Sequence, residues 1–403
     1  SMAIKSQKIK NNPEQQGAIA RQGFLFYDKY GDKEYNGDVY AGVYYALREL
    51  TKDTTKVGED QYHRNHYKGH SGSVRSVVYS QDGKRLYSAG SEGKILLWNM
   101  ENDARTYTVL DSTRVVGVSN DERWLALGSD NFEVFIYDLK SKDAKPKKVS
   151  GHSGAVFDLV FMPDNNGFIY TSGDGVIRKS DFIASTPIAQ VSSRVKSLTI
   201  SPDGNTLAGG NEEGHVVLWD LNNNNEERQL YRSEKVPVSA ISFSNDGKLL
   251  VFGDETGVLT IWDLDAKRVL KKLPGHESDI TDLEFNADNS LLASTSRDGT
   301  ARLWIMENLN DLPIELDDHG KGIESEGWVW SVSFSPDGES LVTGAGDSNI
   351  RIWPVKPEGM ANEICNYISE NMMNSTWVAY VADNIDYQYT CEGKPMREEQ
   401  SVE

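Results

Sequence analysis

Residues 275–304 read GHESDITDLEFNADNSLLASTSRDGTARLW, and this stretch decides the fold. Ile280, Asp282 and Glu284 alternate with Thr281, Leu283 and Phe285, and a period of two over such a run is a strand. Asp288-Asn289 supplies a hairpin turn, residues 291–294 a second strand, Asp298-Gly299 a second turn and residues 301–304 a third strand. A fourth, outer strand follows before the next unit begins.

The same unit recurs with a fixed internal spacing. An aspartate is followed sixteen positions later by a strand-ending residue: Asp82 with Trp98, Asp121 with Tyr137, Asp164 with Ser180, Asp203 with Trp219, Asp246 with Trp262, Asp288 with Trp304 and Asp337 with Trp353. The outer period runs from 39 to 49 residues, in the range of four-stranded propeller blades. A count of tryptophans would find five units, whereas the spacing finds seven and keeps the two that end in Tyr137 and Ser180. Short antiparallel strands repeated radially protect their own edges. The expectation is an all-β, seven-bladed propeller.

After Trp353, Pro354, Pro357 and Gly359 forbid a regular fourth strand. The segment 61–68 (QYHRNHYK), just ahead of the first Gly-His, is where an outer strand belongs. It is expected to pair with the last blade and close the ring. The Gly-His openings at His70, His152 and His276, the Ser-Pro-Asp-Gly turns at 201–204 and 335–338, and the Trp219-Asp220 and Trp262-Asp263 ends resemble WD-repeat proteins over residues 61–355.

The flanks are not repeat-like. Pro13 can start a helix carrying Ala18, Ile19, Gln22 and Leu25, and Asp38 reads as the N-cap of another whose Val39, Val43, Ala46, Leu47 and Leu50 recur at helical spacing. Residues 360–368 read as a helix, 376–382 as another capped by Asn374 or Ser375, and 383–391 as extended. The division is thus a helical extension at 1–60, a propeller at 61–356 and a tail at 357–403. Ser1-Met2 reads as an expression scar, so the native chain can extend upstream. Tyr44 to Leu47 ahead of the ring, and Trp377, Tyr380-Val381, Asn384-Ile385, Tyr387 and Cys391 after it, resemble the flanks of bacterial WD-repeat proteins. In those the propeller is the C-terminal module of a longer signalling or stress-response chain, often behind an NTPase or a caspase-like protease. The resemblance implies the same setting here.

A net charge of −19 argues against wrapping nucleic acid. No apolar run reaches membrane-spanning length, and no signal peptide is visible. Cys365 and Cys391 are the only cysteines. They are either two thiols, the default in a reducing cytoplasm, or one bridge, which would suit an extracytoplasmic location. A bridge closing that loop would contribute about 3 kcal/mol if unstrained.

His276, Ser294 and Asp298 have the residue types of a hydrolytic triad, and Trp304 lies in the same unit. In WD repeats these types form a hydrogen-bonded network between strands, and nothing nearby supplies an oxyanion hole. The set is complete only in this unit, because the first has Glu92 in place of the aspartate. His63 and His66 lack metal-ligand spacing, so neither a metal nor a cofactor is expected.

Propellers bind at the mouth of the central channel. The WD-repeat resemblance implies that residues flanking the first apolar position of each inner strand face it. Those after that position include Arg75, Arg114, Phe157, Lys196, Ser239, Thr281 and Trp330; those before it include Ser73, Ser112, Arg194, Asp279 and Trp328. Arg297, ahead of a second-turn aspartate, joins them. Arginine and large aromatics are the types enriched in binding hot spots. The expected function is a non-catalytic protein-interaction or ligand-sensing module, taking a peptide or acidic ligand at this mouth. The competing account pairs these cations with Glu92, Asp130, Glu212 and Glu255. The alternative function is a scaffold that uses its blade sides and helical flanks.

Overall fold

The computed structural model of the chain describes residues 2–10, 12–31, 36–51, 66–100, 104–109, 113–141, 145–149, 151–233, 235–317, 327–381 and 385–397. Seven four-stranded antiparallel sheets account for all the strands of the described residues. The sixth blade comprises Ile280–Phe285, Leu291–Ser296, Ala301–Ile305 and Ile314–Leu316, in order from the channel outward. The two blades without tryptophan ends are complete. One comprises Thr113–Val118, Trp124–Ser129, Val134–Asp138 and Lys147–Val149; the other comprises Val156–Phe161, Phe168–Ser172, Val176–Ser180 and Ser185–Gln190.

The seventh blade uses Val329–Phe334, Ser340–Ala345 and Asn349–Pro354, and takes His66–Lys68 as its outer strand. His66 stands opposite Arg351, and Lys68 opposite Asn349. Of the closing segment expected at 61–68, residues 61–65 lie outside the described residues. Each inner strand neighbours the next, and the seventh neighbours the first.

Burial on both faces holds the blades together. Leu291–Ser296 is buried along its whole length. Val251, Leu259 and Ile261 of the fifth blade pack in one cluster with Ile280, Leu283, Phe285, Leu292 and Trp304 of the sixth. Each such side chain contributes about 1.5–3 kcal/mol of burial free energy. Outer strands are polar instead, as in Glu226–Arg232, where charge discourages edge pairing.

The first turn of every blade places the residue after its aspartate at positive φ. Four blades use glycine there: Gly83, Gly204, Gly247 and Gly338. The others use Glu122 (φ 55°), Asn165 (φ 59°) and Asn289 (φ 62°), a region costly for a glutamate. Each of these three side chains reaches back to the preceding blade's turn. Glu122 accepts from the Asp82 N–H at 2.7 Å, Asn165 from Asp121 at 3.2 Å and Asn289 from Asn245 at 2.7 Å. Glu122 also pairs with Arg85. Local strain is exchanged for a pin between blades.

The described residues of 1–64 and 352–403 form a second compact unit, so the two terminal extensions read separately from the sequence belong together. It holds α1 (Met2–Gln7), α2 (Pro13–Tyr30), α3 (Gly37–Thr51), α4 (Pro357–Tyr367) and α5 (Asn374–Tyr380). Asn12 caps α2 by accepting from the Gln15 N–H at 3.1 Å, with Pro13 in the first turn. Asp38 is not the cap of α3. Asn36 accepts from the Val39 N–H at 3.0 Å, leaving Asp38 inside the first turn. Neither Asn374 nor Ser375 caps α5, which begins after Met373 without a side-chain cap. Trp377 is buried against Phe26 and Tyr387, and its indole N–H donates to the Ile385 carbonyl at 2.9 Å. The Cys365 and Cys391 sulfurs are bonded at 2.00 Å.

Candidate functional site

One irregularity builds the channel mouth. In every blade the register between inner and second strands slips by one residue near the start of the inner strand. The residues skipped are Arg75, Arg114, Phe157, Lys196, Ser239, Thr281 and Trp330. A bulge leaves one residue unpaired and re-aims its side chain. Here all seven line a single cavity of about 390 Å³, together with Arg297.

The bulge also corrects the simple alternation read in the sixth blade. Ile280 packs with Leu283 and Phe285, while Asp282 and Glu284 line the channel. Two expected mouth residues, Arg194 and Trp328, precede the bulge and do not line the cavity. The Arg194 side chain is 55% exposed, with Glu212 at 3.7 Å. Trp328 packs edge-on against Trp330, 5.4 Å between centroids. Ser112 lies outside the described residues.

The cations divide by partner. Arg114 pairs with Asp130 at 3.0 Å, Lys196 with Glu255 at 2.5 Å and Arg297 with Asp279 at 2.9 Å. Glu92 does not serve the rim, because it is taken by His70. Arg75 has no ion-pair partner among the described residues and stacks on Trp330, its guanidinium carbon 3.9 Å from the ring centroid. Arg297 lies over the same indole at 5.3 Å and over Trp328 at 4.7 Å. Burial, reinforced by Arg114 and Arg297, pushes the Arg75 guanidinium pKa down, so its charge is under-compensated.

Below the mouth the walls carry acids that residue-type reasoning missed. Asp158 accepts from the Leu198 N–H at 2.7 Å and the Ser197 hydroxyl at 3.1 Å. Asp282 accepts from Val332 N–H at 3.0 Å and Ser331 at 2.8 Å, and Glu284 from Phe334 N–H at 3.1 Å. Each reaches the inner strand of the next blade. Inner strands have no sheet neighbour on the channel side, so their N–H groups need such acceptors. All three retain some solvent access down the channel, yet its walls surround them. Burial raises Asp158 to about 7, Asp282 to about 6 and Glu284 to about 8, the last helped by the nearby Asp282 charge. Their positions follow the bulge at alternate residues, a signal visible only once the bulge is known.

The triad-like set lies inside the sixth blade. His276 Nδ1 is 2.8 Å from Asp298, its Nε2 is 2.7 Å from Ser294 Oγ, and the Trp304 indole N–H donates to Ser294 at 2.9 Å. Burial lowers the His276 pKa against the pull of Asp298, so the imidazole is neutral: Nδ1–H donates to Asp298 and Nε2 accepts from the hydroxyl. Burial pushes the Asp298 carboxyl up, but the bonds from His276, Glu277 and Thr300 outweigh it and hold it well below the usual range. Ser294 is wholly buried, with its oxygen engaged on both sides. The first blade corrects the reading that this set is complete only once. Glu92 replaces the aspartate, 2.8 Å from His70, with Ser88 and Trp98 completing the chain. Where the network is broken, arginine enters: Arg178 pairs with Asp174 at 2.8 Å, and Arg351 with Asp347 at 2.6 Å. Among the described residues no cluster of metal-ligating side chains is found.

With seven blades, seven bulges and this network in place, the comparisons with known proteins are specific. Segments 61–99, 144–179, 185–220, 226–263, 267–304 and 315–354 match the WD40 family profile (WD domain, G-beta repeat), together more than half of the chain. The chain belongs to the WD40 family. The blade ending at Tyr137 falls outside these matches. The chain is similar to the guanine nucleotide-binding protein subunit beta of Nicotiana tabacum, 25% identical over 296 residues, covering 71% of this chain and 69% of that one. It is also similar to the serine-threonine kinase receptor-associated protein of Mus musculus, 24% identical over 240 residues (59% and 67%). The periodic tryptophan protein 2 of Arabidopsis thaliana is 24% identical over 295 residues (70% and 26%).

Proposed function

We propose that this propeller is a non-catalytic interaction or ligand-sensing module that takes a protein or peptide partner of acidic character at its channel mouth. The observation that carries this reading is the bulge repeated in all seven inner strands. It aims Arg75, Arg114, Lys196, Phe157 and Trp330 into one cavity of a chain whose net charge is −19. Arginines and aromatics gathered in a concave site suit a hot spot for an anionic group. The names of two relatives, a subunit and a receptor-associated protein, describe proteins that work with others.

A non-catalytic role is supported by the state of the acids and of the triad-like serine. The channel carboxylates are spent on backbone N–H groups, and Ser294 is sealed under Trp304. The setting that the flanks support is the C-terminal part of a longer bacterial signalling or stress-response chain. The Cys365–Cys391 bridge favours an oxidising compartment over the cytoplasmic one that two free thiols would suit. Thiol labelling of the isolated chain before and after reductant tests it; two free thiols at once would point back to the cytoplasm. No helix of the described residues is long and apolar enough to cross a membrane.

The scaffold reading draws on a different observation. An open groove of about 670 Å³ lies between the fourth and fifth blades, floored by Leu218, Phe243 and Leu264 and walled by Asp203, Glu227 and Asp246. Site-specific photocrosslinking decides between the two. Probes at Ser239 in the mouth and at Arg228 in the groove wall are carried into a cell extract. Adducts from the mouth probe that vanish in an R75E/R114E variant support the mouth reading; adducts from the groove probe alone favour the scaffold.

A further inference from the structure

Three buried donors in one sector of the channel have no acceptor: the Nε of Arg75, the Nε of Arg297 and the Nε1 of Trp330. A buried donor left unpaired costs about 1–3 kcal/mol, so native proteins rarely keep one without a reason. Orphan indole N–H groups also occur at Trp219 and Trp262. Those have a local cause. The register places Gly209 and Phe252 where Ser294 serves Trp304, and neither indole lines the channel cavity. The three at the mouth all line one cavity, and all are donors.

Their arrangement narrows the ligand. The Arg75 guanidinium lies over the Trp330 ring, 3.9 Å from its centroid, and a guanidinium stacked on a ring donates in its own plane. The indole beneath contributes a further donor from its own edge. Arg297 lies over both rings of the aromatic pair, its position fixed by Asp279. Elsewhere around the mouth, Ser239 donates to the Ile280 carbonyl at 2.6 Å and Thr281 to the Val329 carbonyl at 2.6 Å. Among the described residues that line the mouth, the unmet buried donors therefore lie in the sector of blades one, six and seven.

We infer that Arg75, Arg297 and Trp330 form an oxyanion pocket, and that the mouth's partner enters it with a peptide carboxylate, an aspartate or glutamate side chain. This rests on the mouth being the binding site and adds which sector binds and by what chemistry. A planar carboxylate matches the fork of a stacked guanidinium with two parallel hydrogen bonds. A phosphoryl group offers the same acceptors in tetrahedral form.

The test uses the 403-residue chain and three fluorescent decapeptides: glutamate-rich, the glutamine counterpart, and one carrying phosphoserine. Anisotropy titration is expected to show binding of the glutamate peptide and not of the glutamine peptide. R75A weakens it about tenfold or more, as loss of a charged hydrogen bond does. W330F keeps the aromatic platform, removes one donor, and weakens binding roughly two- to tenfold. R123A is the control: Arg123 also stacks on a tryptophan, Trp124, but is paired with Asp138 and lies outside the channel cavity. It leaves binding unchanged. A phosphoserine peptide that binds tighter than the glutamate one, with the same dependence on Arg75, supports the pocket and moves its source to a modified partner. Equal binding of wild type and R75A, equal binding of glutamate and glutamine peptides, or no binding of any peptide at millimolar concentration overturns the pocket. If a peptide still crosslinks at Ser239 while ignoring R75A, only the pocket fails. If crosslinks go only to the groove, the mouth reading fails with it.

Discussion

The interior of the sixth blade and the channel mouth use the same kinds of polar group in opposite ways. In the blade, Trp304, Ser294, His276 and Asp298 form a chain in which each donor has its acceptor. At the mouth, Trp330 and Arg75 are held by stacking and Arg297 by its pair with Asp279, and all three leave a donor unmet. The first arrangement satisfies itself and serves folding. The second, on the binding proposed above, takes its acceptor from a partner. A Ser–His–Asp set is thus weak evidence for chemistry when it is closed, and an unpaired arginine is stronger evidence for binding when it is open.

The largest expected effect breaks the closed side. Trp304→Ala removes a buried indole and leaves the Ser294 hydroxyl short of a donor, at a cost of about 3–5 kcal/mol. Equilibrium denaturation checks it; a loss under about 1 kcal/mol would mean the network does not hold the blade.

A second effect concerns the channel wall between the two regions. Asp158, Asp282 and Glu284 hold their protons to about 7, 6 and 8, whereas the unfolded chain releases them near pH 4. Between these values the native state binds more protons, so their contribution is full below about pH 4 and is lost as pH rises towards 8. Stability should fall across that window, and Glu284→Gln, which cannot ionise, should flatten the slope. A slope unchanged in the variant would show that Glu284 is ionised throughout.

The smallest effect sharpens the contrast. Arg75→Ala should leave stability within about 0.5 kcal/mol of wild type, or raise it slightly, since it relieves an under-compensated charge. A large loss would make Arg75 a folding residue and erase the difference between mouth and blade.

Much of this was legible in the residues. The sixteen-residue spacing located the blades ending in Tyr137 and Ser180, one of which falls outside the family profile, and it set the register on which the WD-repeat resemblance pointed to Arg75, Arg114, Phe157, Lys196 and Trp330. What escaped has a common cause. Alternation along a strand assumes an unbroken ladder, and the bulge at Thr281 shifts Ile280 onto the face of Leu283 and Phe285. Asp282 and Glu284 were therefore read as one side of a strand and not as a channel wall. Pairing across blades was equally hidden. Glu122 bracing a neighbouring turn from positive φ, and likewise Glu92 reaching His70 inside the first blade, depend on side-chain length against a distance that spacing does not contain. Whether a rim cation is free or paired, the point on which the binding site turns, is of the same kind.

The indole N–H groups offer the most direct measurement. In a ¹⁵N-tryptophan-labelled chain, titration with the glutamate-rich peptide should shift the Trp330 indole resonance downfield as its proton gains an acceptor. The Trp219 and Trp262 indoles, unpaired inside their blades, should stay put. A saturable shift at Trp330 that disappears in R75A is the predicted result. Movement at Trp219 or Trp262 with Trp330 unchanged would contradict the account.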